Sequence, residues 1–129
     1  MKKLLVSTGI ALALSVLSCG AEHTDLPTGF RYLPPPTPAD LTVEGGTEEC
    51  IVRWTYPAEG MPSLEEFRVY YYLEAYGLLE LVGTTTDTEY VDSLLIGNLS
   101  YCYAVSAVDT SGLEGWRAGP ACAMAKSSR

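Results

Sequence analysis

The 129-residue chain has one histidine, His23, and eight lysines and arginines against sixteen aspartates and glutamates. Each scarcity removes a class of function. A Ser–His or Cys–His nucleophilic pair needs a histidine poised in a folded site, and His23 sits in a proline-containing segment without apolar periodicity. A lone imidazole with no second ligand nearby makes no zinc site. The net charge of −8 repels phosphates, which argues against nucleic acid, or anionic lipid, as a partner held by charge. No stretch supplies the roughly 20 apolar residues of a membrane-crossing helix. After residue 18 no segment repeats its apolar residues at the helical period, which leaves strands. The carboxylates Glu48, Glu49, Glu65, Glu66, Asp92 and Asp109 are scattered, with no spacing that reads as a calcium loop or an acid–base pair. The expectation is a protein that is not an enzyme and needs no metal or cofactor.

What is present begins with Tyr101-Cys-Tyr-Ala-Val-Ser-Ala-Val-Asp-Thr-Ser-Gly112. Tyr101, Tyr103, Val105 and Ala107 alternate with Cys102, Ala104 and Ser106, the period of a strand with one buried face. Asp109 to Gly112 supplies a turn. The rest of the chain from Pro38 breaks into short apolar segments of the same kind. Leu41 and Val43 form one; Cys50, Val52 and Trp54 alternate inward on the next, with Ile51 and Arg53 outward. Gly45-Gly46 reads as the turn between them, and Pro57, Gly60 and Pro62 as a loop after the second. Phe67, Val69 and Tyr71 face inward, leaving Arg68, Tyr70 and Tyr72 outside. Leu79 to Thr86 is an edge strand, Glu89 to Asp92 another, and Ala121, Ala123 and Ala125 a weak last strand. About seven short strands between turns are the pattern of an all-β sandwich.

The N-terminus is built differently. Lys2-Lys3 precedes Leu4 to Leu17, fourteen residues without a charge, and then Ser18-Cys19-Gly20. A basic start, a short apolar middle and a small residue before the cut make a secretory signal over residues 1–18. Val16-Leu-Ser-Cys19 resembles a bacterial lipobox, which implies cleavage before Cys19, acylation of that cysteine and anchoring to a membrane. Several acyl chains hold firmly where one does not. Gly20 resembles the signal for an outer membrane where the cell has one; ordinary secretion is the alternative. Removal of residues 1–18 leaves six basic against sixteen acidic residues, a net charge of −10. Residues 19–37, with Pro27 and the run Pro34-Pro-Pro36, read as an extended tether.

Residues 38–127 resemble a fibronectin type III domain, an antiparallel seven-stranded immunoglobulin-like sandwich. The resemblance rests on Pro38-Ala-Asp-Leu41, Trp54, Phe67-Arg-Val-Tyr70, Leu95, the strand opened by Tyr101, and Asp109-Thr-Ser-Gly112. It implies that Trp54 is the core tryptophan and Tyr101 the corner tyrosine, whose hydroxyl bonds back to the backbone upstream, and that the two rings meet inside the sandwich. The family writes Leu-x-Pro-Gly-x-x-Tyr where this chain has Leu95-Ile-Gly-Asn-Leu-Ser-Tyr101. Asn98 therefore stands in place of glycine, a substitution that a left-handed conformation tolerates. The match of Asp109-Thr-Ser-Gly-Leu-Glu114 to the family's turn explains its oxygen atoms without calcium.

With Cys19 acylated, three cysteines remain. Cys50 points into the core and Cys102 outward, by parity with their neighbours. Cys122 points outward if Ala121 and Ala123 are the inward pair of the family's last strand. That favours Cys102–Cys122 across two antiparallel neighbours; a bridge from Cys50 and a bridge between molecules are the other pairings.

Two surfaces are candidate binding sites. One is the loop cluster of residues 57–63 and 110–117, with Met61, Leu113, Trp116 and Arg117, because Trp and Arg dominate binding energies and loops on a rigid frame carry sites. Packing of Trp116 over the open end of the core is the structural alternative. The other surface is the outward pair Tyr70 and Tyr72, flanking the disulfide. The expected role is a lipid-anchored, non-catalytic binding or scaffolding module of a bacterial cell envelope. Its partner would be an unknown envelope protein or a glycan, or it would serve as a spacer or accessory subunit.

Overall fold

A computed structural model describes residues 33–129; the expected leader, Cys19, His23 and the other residues up to 32 lie outside the described part. Seven strands form two antiparallel sheets: β1 (Ala39–Gly46), β2 (Glu49–Thr55), β3 (Leu64–Leu73), β4 (Leu78–Thr85), β5 (Glu89–Asp92), β6 (Ser100–Asp109) and β7 (Ala118–Met124). One sheet has the order β1-β2-β5 and the other β4-β3-β6-β7. This is the expected immunoglobulin-like sandwich. Short 3-10 turns at Ala58–Ser63 and Glu74–Tyr76 depart from the expectation of no helix, and they are too short for any apolar period to betray.

The alternation read from the sequence is the alternation of burial. Cys50, Val52 and Trp54 from β2 meet Phe67 and Val69 from β3 and Tyr103, Val105 and Ala107 from β6 in one cluster. Burying an aliphatic or phenyl side chain of this size is worth about 1.5–3 kcal/mol, so these facing rows hold the two sheets together. The Trp54 and Tyr56 rings both pack edge-on to Phe67, at centroid separations of 5.2 and 5.0 Å. Trp54 and Tyr101 do not meet. Tyr101 instead lies 6.2 Å from Tyr71, and Tyr71 is four positions along β3 from Phe67, roughly 13 Å at the rise of a strand. Each ring closes its own end of the core.

The corner at Tyr101 forms as the resemblance implies. Its hydroxyl donates to the Ile96 carbonyl at 3.2 Å and accepts from the Ile96 amide at 3.0 Å. Asn98 has φ +66°, the left-handed conformation for which glycine is usual, and its amide reaches the Ala125 carbonyl at 2.7 Å. The glycine pair at 45–46 has a different purpose from the expected turn. Both residues belong to β1, paired with Cys50 and Glu49, and the chain reverses through Thr47 and Glu48, the latter at φ +54°. A Cβ on Gly45 would sit 1.9 Å from the Met124 carbonyl oxygen, so the glycine lets β7 approach β1.

Asp92 was legible only as the end of a strand. It is 8% exposed and accepts hydrogen bonds from the hydroxyls of Tyr71 (2.6 Å) and Tyr103 (2.7 Å). Burial, followed by the bond to Asp92, pushes both phenols well above their ordinary range. The carboxylate thus locks an aspartate of one sheet to tyrosines of the other, and satisfied polar groups of this kind fix the register of a core.

Candidate functional site

The two loops expected at one end of the sandwich are joined there. The Thr110 amide donates to the Ser63 carbonyl at 2.9 Å, so the loop after β2 and the loop after β6 share an edge. Within the second loop, Asp109 Oδ1 accepts from the Ser111 hydroxyl (2.6 Å) and from the amides of Ser111 and Leu113 (both 3.0 Å). Those donors, the Ser111 hydroxyl first, hold the Asp109 carboxyl below its usual value. Gly112 at φ +90° closes the turn. The carboxylate orders the loop, and among the described residues no three His, Cys, Asp or Glu side chains converge as a metal ion would require.

The loop then folds back over the outer face of the sheet. Glu114 accepts from the hydroxyls of Tyr70 (2.6 Å) and Ser106 (2.5 Å) and pairs with Arg68 at 3.1 Å. Burial works to raise the Glu114 carboxyl, but the Ser106 and Tyr70 hydroxyls and the Arg117 and Arg68 charges outweigh it and lower the value. The clamp is therefore complete above the ordinary glutamate range and is lost only as pH falls through the lowered Glu114 value beneath that range. The Arg117 guanidinium stacks 5.0 Å over the Tyr70 ring, within the reach of a cation–π contact. Tyr70, expected on an open face, is buried for this reason and offers nothing to a partner. Tyr72 stays half-exposed and lines a groove with Cys102.

Trp116 lies between these two anchors with 76% of its surface in water, and Met61 across the loop edge is 45% exposed. The alternative in which Trp116 covers the core end does not hold. The Trp54 and Tyr56 rings are already there against Phe67. Leu113 is partly buried. Nothing in the sequence marked the role of the proline run. Pro35 is buried, and a Cβ on Gly115 would fall 2.4 Å from the Pro35 carbonyl oxygen. A Cβ on Gly60 would meet Tyr56 at 2.8 Å and Pro36 at 3.1 Å. The compact unit accordingly begins at Pro34, and Pro35 and Pro36 of the expected tether pack with the two loops.

Cys102 and Cys122 face each other across β6 and β7 and are joined by a disulfide, while Cys50 is a buried free thiol. Burial is the chief reason its pKa lies above the usual thiol value. A persistent disulfide belongs to an oxidising, extracytoplasmic compartment. Among the described residues no helix is long and apolar enough to cross a membrane.

No family model and no curated protein matches the sequence. Solved structures do match the fold. The chain is similar to FN3tt (18% identity, TM-score 0.59, covering 73% of this chain and 98% of that one). It is likewise similar to an Fn3-like protein from Clostridium thermocellum (20% identity, TM-score 0.58, covering 75% and 99%). A multi-domain segment of titin matches at 23% identity and TM-score 0.62 over 72% of this chain, which spans 32% of that one. A beta-1,2-glucanase from Parabacteroides distasonis matches at 16% identity and TM-score 0.61, with this chain spanning 13% of it. The described residues have the fibronectin type III fold.

Proposed function

We propose that this chain is a non-catalytic binding module of a bacterial cell envelope, held to a membrane through acylated Cys19. It meets a partner protein through the loop end that carries Trp116 and Met61. The observation behind this reading is Trp116 itself. A large apolar ring left in water on a loop clamped from both sides is a rigid anchor that loses little entropy on binding. Clamping by Glu114 and by the Pro35 contact argues that the loop is pre-set rather than ordered by the partner. A glycan as partner is the second reading, suggested by the glucanase among the similar structures.

The test is a photocrosslinking residue placed at the exposed Glu59, on the loop beside Trp116, in intact cells, with one at Glu44 on β1 as control. A protein adduct should form from position 59 and not from position 44, and Trp116→Ala should abolish it. Silence at 59, adducts of equal yield from both positions, or an adduct that survives Trp116→Ala would contradict the protein-binding reading. In parallel, Cys19→Ala should move the protein from the membrane fraction to the soluble one, and retention in the membrane would remove the anchor.

A further inference from the structure

At the opposite end of β3 and β6 from Trp116 lies a groove of about 530 Å³. Tyr71, Tyr72, Tyr76 and Tyr101 line it together with Glu74 and Glu80. Two of the rings are fixed before any ligand arrives. The Tyr71 hydroxyl is taken by Asp92 and the Tyr101 hydroxyl by the Ile96 backbone. These two rings can therefore offer a ligand only their π surfaces. Tyr76, on the 3-10 turn, is 77% exposed and forms an outer wall beside the half-buried Tyr72.

The charges around the groove are one-sided. Among the described residues no basic side chain lines it. Among the described residues, Glu74 and Glu80 form no ion pair, whereas Arg53 is paired with Glu44 and Glu89, and Arg68 with Glu66 and Glu114. Arg117 is committed to Tyr70. An electron-rich aromatic floor attracts cations through its quadrupole, and unpaired carboxylates at its rim add charge complementarity. A neutral ligand would use the rings and hydrogen-bond the carboxylates, but would leave their charge unneutralised.

We infer that this groove is a second binding site, one that takes a lysine- or arginine-bearing peptide segment of a partner protein. The cationic head lies against the tyrosine faces between Glu74 and Glu80, and the aliphatic stem runs along the ring surfaces. The site is independent of Trp116, so one chain can hold two partners, or two parts of one, at opposite ends of a rigid sandwich.

The test is titration of the isotope-labelled intact chain with an acetylated hexalysine peptide, read by amide chemical shifts. Shifts should be saturable and centred on residues 71–80 and 100–102. Binding should weaken with added salt. Glu74→Gln with Glu80→Gln should weaken it about tenfold, as should Tyr76→Ala alone, the size expected for a partly desolvated cation–π and ion-pair contact. All of these are surface changes away from the core, and Trp116→Ala should bind the peptide as the parent does. An absence of saturable shifts, shifts centred elsewhere, or undiminished affinity in the double glutamine variant would overturn the inference. So would preferential binding of hexaglutamate or of a neutral hexasaccharide at the same residues.

Discussion

Trp54→Ala is expected to cost about 3–5 kcal/mol, a loss of the size that only the large rings of this core can give. Small domains are stable by about 5–15 kcal/mol, so the variant would sit near the edge of folding. The cost has two sources. The indole leaves a core position only 4% exposed, and Phe67 loses one of the two rings that pack on it edge-to-face. The end of the core under the two loops would open, because Tyr56 alone would remain there. Urea unfolding of parent and variant decides it: the midpoint should fall sharply with an unchanged slope. A loss under about 1 kcal/mol would mean that the site collapses around the deletion in a way these packed sheets do not permit.

Removing the Cys102–Cys122 bridge is expected to cost about 3 kcal/mol, since it closes a loop of 20 residues. Its importance lies in what it fastens. The inward side chains of β7 are Ala121 and Ala123, followed by the buried Ala125, and alanines bury little apolar area. The strand otherwise depends on its ladder with β6 and on the close approach of Met124 to Gly45. Urea unfolding of a Cys102→Ser/Cys122→Ser variant should show the loss directly. Hydrogen exchange should then be fastest in β7, ahead of β2 and β3. Unchanged stability would show that the ladder alone secures the last strand. Cys50 serves as an internal reporter, because its buried thiol should react with an alkylating agent only as the core opens.

Strand parity explains why so much of the fold was legible. A period of two is a property of neighbouring residues, so Tyr101 to Ala107 declared their faces without reference to anything distant. The same parity placed Cys102 outward, and Cys122 followed once its strand was matched to the family. The residues that were misread, or not read at all, depend on contacts between remote segments. Tyr70 is outward by parity, yet it is buried because Glu114 and Arg117 fold across it from a loop more than forty positions away. Gly45 looked like a turn residue because its true constraint, the Met124 carbonyl, comes from the far end of the chain. Pro35 belonged to a run whose composition says only that it is extended, and its neighbour Gly115 carries no side chain to advertise the contact.

The site was legible to the same degree. Trp116 could be named from its residue type and from the loop that carries it, but whether it covered the core or faced water turned on Trp54 and Tyr56 filling that end first. The tyrosine groove gave only a faint signal, in Tyr71, Tyr72 and Tyr76 clustered before a glycine. Its other half, Tyr101, arrives from a different strand, and the hydroxyl bonds that fix two of the rings are visible only in three dimensions.

Two single-tryptophan variants, Trp54→Phe and Trp116→Phe, put the central claim to its most direct trial through acrylamide quenching of the remaining indole. Among the described residues the Trp54 indole N–H has no hydrogen-bond partner, so phenylalanine there removes no polar contact with them. With only Trp116 left, emission should be that of an indole in water and quenching should approach that of free tryptophan; with only Trp54 left, emission should be blue-shifted and scarcely quenched. A shielded Trp116 in the isolated protein would contradict the claim that the sandwich holds this ring out for a partner.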